Sequence, residues 1–329
     1  MLRILHDTKY DFIRWWRMAV GLTVAFTVIG MIALGFERGF NYSVDFTGGT
    51  VMQVSFTDAP DVGKLRAALE AGGAKGAELA QFGDDKSYLI RVQGDTSATG
   101  AELASHAVKK AVSGVVGEKG FRLDRTEIVG PRVGAELRRG ALLAILASFL
   151  ITLLYLAWRF EWRFGLAAII ATMHDILATV AFIAMLRLEI SLTVVAGLLT
   201  VIGYSLNYTI IIFDRVRENL RKNRREPLYD TLNRSVNETL PRSVLTHATV
   251  LASTLALLIF AGEVIRPFAW VMAFGIFTGT FSSIYVASPI LMYIEQKYPR
   301  KIDGKAKTPR ETDGATAKTP RASGAGGTR

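Results

Sequence analysis

Apolar residues along this 329-residue chain form long continuous runs, unlike the short periodic stretches of a water-soluble domain. An α-helix rises about 1.5 Å per residue, so about 20 apolar residues cross the hydrocarbon layer of a bilayer. Six runs approach this length, and we predict a membrane-spanning helix in each: residues 18–35, 140–157, 164–185, 192–213, 244–261 and 268–294. The last run is long for a single crossing, so we expect it to tilt or to end at the interface.

Residues 36–138, between the first two runs, have the shorter pattern of a folded domain outside the membrane. We predict strands at 42–56, 76–82, 87–93 and 121–129 and helices at 61–71 and 99–118. Asp84 and Asp85 are placed to form the turn between the second and third strands. The order β-α-β-β-α-β is that of the ferredoxin-like fold. The predicted fold class is a polytopic α-helical membrane protein with six transmembrane helices and one small α+β ferredoxin-like domain.

The formal net charge of +10 is concentrated before the first run, between the second and third runs, between the fourth and fifth, and after the sixth. If the chain crosses six times, all four segments lie on one side, which the positive-inside rule assigns to the cytoplasm. We therefore predict a cytoplasmic N-terminus at 1–17, a basic cytoplasmic loop at 214–242 and a disordered basic cytoplasmic tail at 297–329. The first run has no small-residue cleavage site after it, so we expect it to remain as an anchor.

Several classes of function are disfavoured by what the sequence lacks. There is no cysteine, so no disulfide supports the domain at 36–138. Neither a nucleotide-binding loop nor a metal-binding helix motif is present, and we expect no enzyme, no metal and no cofactor. Membrane topology already accounts for the basic loops, so we expect no nucleic-acid partner. An ion gradient is then the natural energy source for any work done inside the membrane.

Polar residues at membrane depth form three clusters that we single out as candidate sites. His174 and Asp175 lie near the middle of the third run, either as a buried pair that fixes helix packing or as a proton-linked site. In the fourth run, Asn207 and Tyr208 belong to a polar stretch at 203–209, which favours either a close-packed helical seam or a conduction path. Arg242 and Thr246, four residues apart at the start of the fifth run, share a face that we expect to turn toward the fourth.

A pair of glycines opens the domain at 36–138. Asp45 is followed by Gly48 and Gly49, and glycine permits backbone angles that other residues avoid. One interpretation is a bend at the start of a strand, and the other is a hinge that joins the domain to the bundle. A phosphate-binding loop is disfavoured because no helix with a lysine follows at the required spacing.

A set of short motifs in a fixed order resembles the SecF branch of the SecD/SecF family of bacterial protein export. They are VDFTGGT at 44–50, VGPRV at 129–133, RFEWRF at 159–164, HD at 174–175, LTVVA at 192–196, GYSLN at 203–207, FDRVREN at 213–219, LPR at 240–242 and ASP at 287–289. The resemblance implies a six-span half of a transporter of the RND type in the bacterial inner membrane, with both termini cytoplasmic. It further implies pairing with SecD beside the SecYEG channel, where YidC and YajC-type subunits are possible accessory partners. Unfolded preproteins would be pulled outward with the proton motive force.

The sequence departs from the family pattern at one position. After the motif Gly-Tyr-Ser-x-Asn the family has an aspartate, thought to take part in proton conduction near the residues that match Arg242 and Thr246, and here Tyr208 stands in its place. Tyrosine has an ordinary pKa near 10 and does not readily exchange protons near neutral pH. Three alternatives remain open: SecD supplies the carboxylate, Asp175 carries more of the proton path, or this copy is poorly coupled. We favour the first, and a non-conducting structural subunit is the alternative to a motor subunit.

Overall fold

The computed structural model describes residues 8–298 except 37–38, 75–76, 82–84, 94–97, 224 and 263. After a short 3-10 turn at Ile13–Trp15, the elements follow in chain order: α1 (Trp16–Phe36), α2 (Val44–Thr47), β1 (Gly49–Phe56), α3 (Val62–Ala71), β2 (Glu78–Gln81), β3 (Ser87–Gln93), α4 (Ala98–Val116), β4 (Phe121–Val129), α5 (Pro131–Arg159), α6 (Trp162–Met185), α7 (Leu192–Lys222), α8 (Leu228–Phe260), α9 (Arg266–Ser282) and α10 (Ser288–Lys297). Asp84 and the predicted tail beyond Tyr298 lie outside the described residues.

Six helices among the described residues are long and apolar enough to cross a membrane, as predicted. They correspond to Ile13–Phe36, Arg132–Arg159, Trp162–Met185, Leu192–Lys222, Leu228–Phe260 and Arg266–Lys297. Most of them are longer than the apolar runs, because α5, α7 and α8 continue for several turns through charged sequence. The hydrophobic pattern therefore located the crossings but not the ends of the helices.

The α+β domain, formed by β1–β4 with α3 and α4, has the predicted element order and an antiparallel sheet in the order β2-β3-β1-β4. Alternate side chains of β1 and β3 point to one face, where Met52, Val54 and Ile90 are fully buried with Leu65 and Val112 of the two helices. Because strand side chains alternate, the opposite face of the sheet carries the polar set. That polar face includes Arg91, whose cross-strand partner is Glu78.

The first strand is shorter than predicted, because it begins at Gly49 and not at residue 42. The chain before it forms α2, a single helical turn whose N-cap Ser43 accepts a hydrogen bond from the backbone N–H of Asp45. Serine at this position satisfies an otherwise unpaired helical donor, which favours the turn over an extended strand. Tyr42 pairs instead with Ile190, in the turn between α6 and α7.

The membrane bundle has a tightly packed centre and an open periphery. In the apolar 18-residue stretch of each span, 50–67% of the residues of α6, α7 and the last span are buried, whereas only 6–11% are buried in α1, α5 and α8. Small residues allow the close approach: a Cβ at Gly275 would lie 2.2 Å from Val201, and one at Gly30 would lie 2.4 Å from Ala181. The helices α6, α7 and α9 therefore form the centre in which buried polar groups meet.

The last span changes its winding between α9 and α10. Residues Ser283–Ala287 form a π-helical turn, and the Ser288 hydroxyl donates to the Ser283 carbonyl at 3.0 Å. Pro289 follows directly and has no N–H to donate to the preceding turn, so the wider π turn accommodates the lost hydrogen bond. The turn also directs Ser282 and Ser283 toward the centre of the bundle, where both are fully buried.

Candidate functional site

Asp175 lies at the centre of the bundle and is hydrogen-bonded by groups from three helices. Its side chain is 1% exposed. One carboxyl oxygen, Oδ2, accepts hydrogen bonds from the Ser205 hydroxyl of α7 and, at 2.7 Å, from the Ser282 hydroxyl of α9. The other oxygen, Oδ1, lies 3.0 Å from Nδ1 of the adjacent His174. The predicted pair is therefore joined by Ser205, which belongs to the predicted polar stretch at 203–209, and by Ser282, which the sequence analysis did not single out.

The hydroxyl cluster continues beyond Asp175 along the same helices. The hydroxyls of Thr209 and Ser283 lie 2.7 Å apart, and Thr209 also donates to the Ser205 carbonyl at 3.4 Å. Nε2 of His174 has no hydrogen-bond partner among the described residues. A carboxyl group within the membrane bundle is costly unless it is hydrogen-bonded, and an aspartate with neighbouring hydroxyls and an imidazole can take up and release a proton.

The Tyr208 side chain points into the helix bundle. It is 2% exposed, and its ring packs edge-on against the His247 ring of α8, with the centroids 4.9 Å apart. Its hydroxyl makes no hydrogen bond among the described residues. Its polar neighbours are Ser243 and Thr239 of α8. His247 is itself held at 2.7 Å from the Ser243 carbonyl. Tyr208 therefore fills the space between α7 and α8.

Asn207, one residue earlier, lies on a different face of α7. Asn207 and Gly203 are exposed, as are Arg242 and Thr246 of α8. We expected Arg242 and Thr246 to turn toward α7, but the residues one position further along, Ser243 and His247, make that contact. A helix turns by about 100° per residue, so neighbouring positions face different directions. We call Asn207, Arg242 and Thr246, which are exposed in this chain, the polar band.

One member of the polar band, Arg242, borders a cavity at the end of the bundle. Arg242 lines this space of about 580 Å³ together with Ile211 and Asp214 of α7. Arg159 at the end of α5 approaches Asp214 at 3.6 Å. Among the residues described, no group of three or more His, Asp or Glu side chains is placed to hold a metal ion.

The basic segments meet at this same end of the bundle. The N-terminal segment reaches α8, where Asn237 accepts from the Tyr10 N–H at 3.0 Å and donates to the Tyr10 carbonyl at 2.8 Å. The start of α6 contacts the segment just after the last helix, where the Trp162 ring packs edge-on against the Tyr298 ring. The segments whose charge predicted a common side are therefore close together in space.

The glycine pair lies where the α+β domain joins the bundle. Gly48 ends α2 with φ of +79°, and Gly49 begins β1 with φ of +154°. A Cβ at Gly49 would lie 2.4 Å from the Val92 carbonyl oxygen, so no larger residue fits there. Asp45 accepts the N–H of Leu192, the first residue of α7, at 3.1 Å. The structure thus shows a bend at the start of the strand, and the hinge stays a prediction.

Three residues that hold these clusters together, Ser205, Ser282 and His247, were not among the predicted site residues. Ser205 lies within the predicted polar stretch at 203–209 and His247 directly follows Thr246, but a sequence does not show which helices are neighbours. Ser282 belongs to a serine pair within the apolar sixth run, and polar residues at that depth are the available signal.

Comparison with known proteins decides the family. The model of the C-terminal part of the protein export membrane proteins SecD/SecF matches residues 107–297, and the SecD/SecF GG motif matches residues 34–60. The chain belongs to the SecD/SecF family. The resemblance drawn from the short motifs is therefore confirmed, and the GG motif covers Gly48 and Gly49.

Individual family members agree over nearly the whole chain. It is 54% identical to the protein translocase subunit SecF of Gemmatimonas aurantiaca, over 96% of each chain, and 36% identical to that of Escherichia coli O157:H7, over 92% and 93%. Among solved structures, SecDF of Thermus thermophilus has a TM-score of 0.76 and 35% identity, and SecDF in a super-membrane-facing form has 0.67 and 36%. The chain spans 40% of the length of each SecDF chain.

Proposed function

We propose that this chain is a SecF-type subunit that pairs with SecD and uses the proton motive force to help export preproteins across the bacterial inner membrane. The family assignment supports the protein-export role. The main support for pairing with SecD is the exposed polar band. Asn207, Arg242 and Thr246 are exposed at positions within membrane-spanning helices, where polar side chains facing lipid are unfavourable. A partner helix that covers them removes this cost.

The position of Tyr208 favours a carboxylate from the partner. Tyr208 packs against His247 within the chain, so it does not supply an acidic group to the polar band. Arg242 is the cation of the band, and a cation at membrane depth needs a counter-charge or water. A carboxylate from SecD that faces Arg242 would provide this charge and a group that gains and loses a proton. In this proposal Asn207 and Thr246 orient the carboxylate by hydrogen bonds.

Asp175 provides a second proton-binding group within the subunit. It lies between α6, α7 and α9, away from the polar band, and contacts the π-helical turn through Ser282. A change in its protonation alters the hydrogen bonds between three helices. We propose that Asp175 transmits proton transfer at the partner interface to the packing of the bundle.

A non-conducting structural subunit is the second candidate function. The observation that favours it is the tyrosine at the position of the family carboxylate. In that case the polar band serves only to attach SecD, and neither export nor proton flux depends on the acid–base chemistry of this chain.

Purified SecD complexes in proteoliposomes separate the two candidates. We expect proton flux that increases when an unfolded preprotein engages the channel. Arg242→Gln should lower this flux at least tenfold while SecD still co-purifies, because the counter-charge is lost. Arg138→Gln, at an exposed arginine near the start of α5, is the matched control. Full flux in the Arg242→Gln complex would exclude the motor proposal and leave the structural one.

The remaining assignments form part of the same proposal. We place both termini in the cytoplasm and the α+β domain on the opposite side, with SecYEG as the channel and YidC or YajC-type subunits as accessory partners. No catalytic group or cofactor is involved. The chain has no cysteine, so single cysteines can be introduced and labelled from one side of the membrane at a time. Labelling of Asp58→Cys in the α+β domain from the cytoplasmic side would contradict this topology.

A further inference from the structure

An ion pair links the α+β domain to the bundle. Nη1 of Arg91 in β3 lies 3.1 Å and 3.4 Å from the two carboxyl oxygens of Glu189, in the turn between α6 and α7. The side chains are only 13% and 18% exposed. Backbone hydrogen bonds run alongside: the Ser43 N–H donates to the Ile190 carbonyl, and the Ile190 N–H donates to the Asn41 carbonyl. We call this contact region the joint.

A second carboxyl group reaches the same ion pair. Glu78 of β2 is the cross-strand partner of Arg91, so both side chains stand on the sheet face that meets Glu189. Glu78 and Glu189 line the same cavity with Arg91, and Oε2 of Glu78 is buried there without a hydrogen-bond partner among the described residues. Ionised carboxylates only accept hydrogen bonds and repel each other, so a proton on one of the two would allow a hydrogen bond between them in place of repulsion.

The other charged groups around the joint do not replace that proton. Asp45 of α2 adds a third carboxylate near Glu189, with one oxygen used by the Leu192 N–H. Arg66 of α3 lines the same cavity of about 340 Å³ but is exposed. Arg187, in the same turn as Glu189, donates to the Gly39 carbonyl. The closed joint therefore brings more carboxyl groups together than Arg91 alone neutralises.

We propose that the joint is a pH-sensitive contact, closed when Glu78 and Glu189 share a proton and weakened when both are ionised. Loss of the proton replaces a hydrogen bond with repulsion between two carboxylates in a partly buried place. The ion pair with Arg91 then competes with that repulsion, and the backbone hydrogen bonds of Ser43 and Ile190 hold the contact alone. The joint requires neither SecD nor export, so it stands apart from the proposed function.

The direction of the pH dependence follows from the raised pKa of Glu189. Burial, followed by the neighbouring carboxyl group of Glu78, raises the pKa of Glu189 from 4.5 to about 8, although Arg91 opposes the change. An open joint exposes Glu189 to water and returns its pKa toward 4.5. Between these values the closed joint binds more protons than the open one. Closure is therefore fully favoured at acidic pH and is lost as the pH rises through about 8. The ratio of closed to open protein falls by up to about tenfold per pH unit over this interval.

Distance measurements on the full chain in lipid nanodiscs test the joint. Spin labels at Glu70→Cys on α3 and Leu186→Cys beside the joint are both at exposed positions, and no native cysteine interferes. We expect one short distance at acidic pH and a longer, broader distribution at alkaline pH, with the change falling between pH 4.5 and about 8. Glu189→Gln and Glu78→Gln should each remove the transition, because neither variant can form a pair of carboxylates.

The matched control is Glu127→Gln. Glu127 lies on the same sheet and pairs with Arg125 at 2.5 Å, but its side chain is 48% exposed. This variant should keep the parent midpoint. A parent distance that stays constant from below pH 4.5 to above pH 8 would overturn the proposal, and so would a transition that persists in the Glu78→Gln variant. If Glu189→Gln does not accumulate, the nearly isosteric Glu78→Gln variant alone decides.

Discussion

Asp175 allows structure and proton chemistry to be separated with two substitutions at one position. Asparagine has nearly the same shape and keeps one oxygen that can accept from Ser205 and Ser282. Its amide group neither gains nor loses a proton near neutral pH. Alanine removes both the acceptor and the proton site. We expect Asp175→Asn to fold and to pair with SecD but to lose most proton-dependent export.

The size of the stability change can be worked from the hydrogen bonds that are lost. Interhelical hydrogen bonds in membrane proteins contribute on average about 0.6 kcal/mol each, so Asp175→Ala loses about 1–2 kcal/mol through its two serines if the acid is protonated. Hydrogen bonds to a charged acceptor are worth about 1.5–3 kcal/mol each, so the loss rises to about 3–6 kcal/mol if the acid is ionised. Asparagine should cost about 1 kcal/mol, since one of the two oxygens remains.

Unfolding in mixed micelles of increasing SDS content measures these differences, and proton flux with an unfolded preprotein measures the function. Asp214→Asn is the matched control, because Asp214 is a carboxylate on α7 whose side chain is 58% exposed. This variant should retain its stability within about 0.5 kcal/mol, as expected for a surface position. Its flux shows how much a charge change outside the bundle centre contributes.

Two results would refute the reasoning about Asp175. Flux and export at the parent level in Asp175→Asn would show that the carboxyl group acts only as a hydrogen-bond acceptor. An Asp175→Ala variant as stable as the parent would show that the bonds to Ser205 and Ser282 add nothing to helix packing. The first result leaves the packing intact, so the two conclusions are independent.

Three further predictions follow from single residues. Gly49→Val should impair export, because both the positive φ and the 2.4 Å approach to Val92 exclude a side chain. A variant with a hinge defect should still accumulate in the membrane and be pulled down with SecD, whereas a misfolded variant should not accumulate. Tyr208→Asp should leave proton-dependent export unchanged if SecD supplies the carboxylate, and a large gain would disprove that assignment. Asp61→Ala should destabilise the α+β domain by about 1 kcal/mol in urea unfolding of the full chain, because Asp61 accepts from the N–H groups of Gly63 and Lys64 at the start of α3; an unchanged midpoint would contradict a capping role.

The sequence was sufficient for the six crossings and for the order of elements in the α+β domain. An apolar run long enough to cross the membrane as a helix favours a helix, because the backbone hydrogen bonds of a helix are satisfied internally. Alternation in β1 and β3 likewise follows from the period of a strand. The start of β1 was misjudged, since a serine cap and a contact with Ile190 outweighed the extended pattern around Tyr42.

The candidate site could be predicted only in part. Residue spacing placed Asn207 and Tyr208 together, but only packing shows that Tyr208 turns toward His247 while Asn207 stays exposed. The serines around Asp175 come from helices 30 and 107 residues away in sequence, and their approach depends on glycines that let the helices meet closely. The joint between Glu78, Arg91 and Glu189 is of the same kind. Local pattern determines which helices and strands form, because their hydrogen bonds are local, whereas the meeting of polar groups is decided by long-range packing in the tertiary structure.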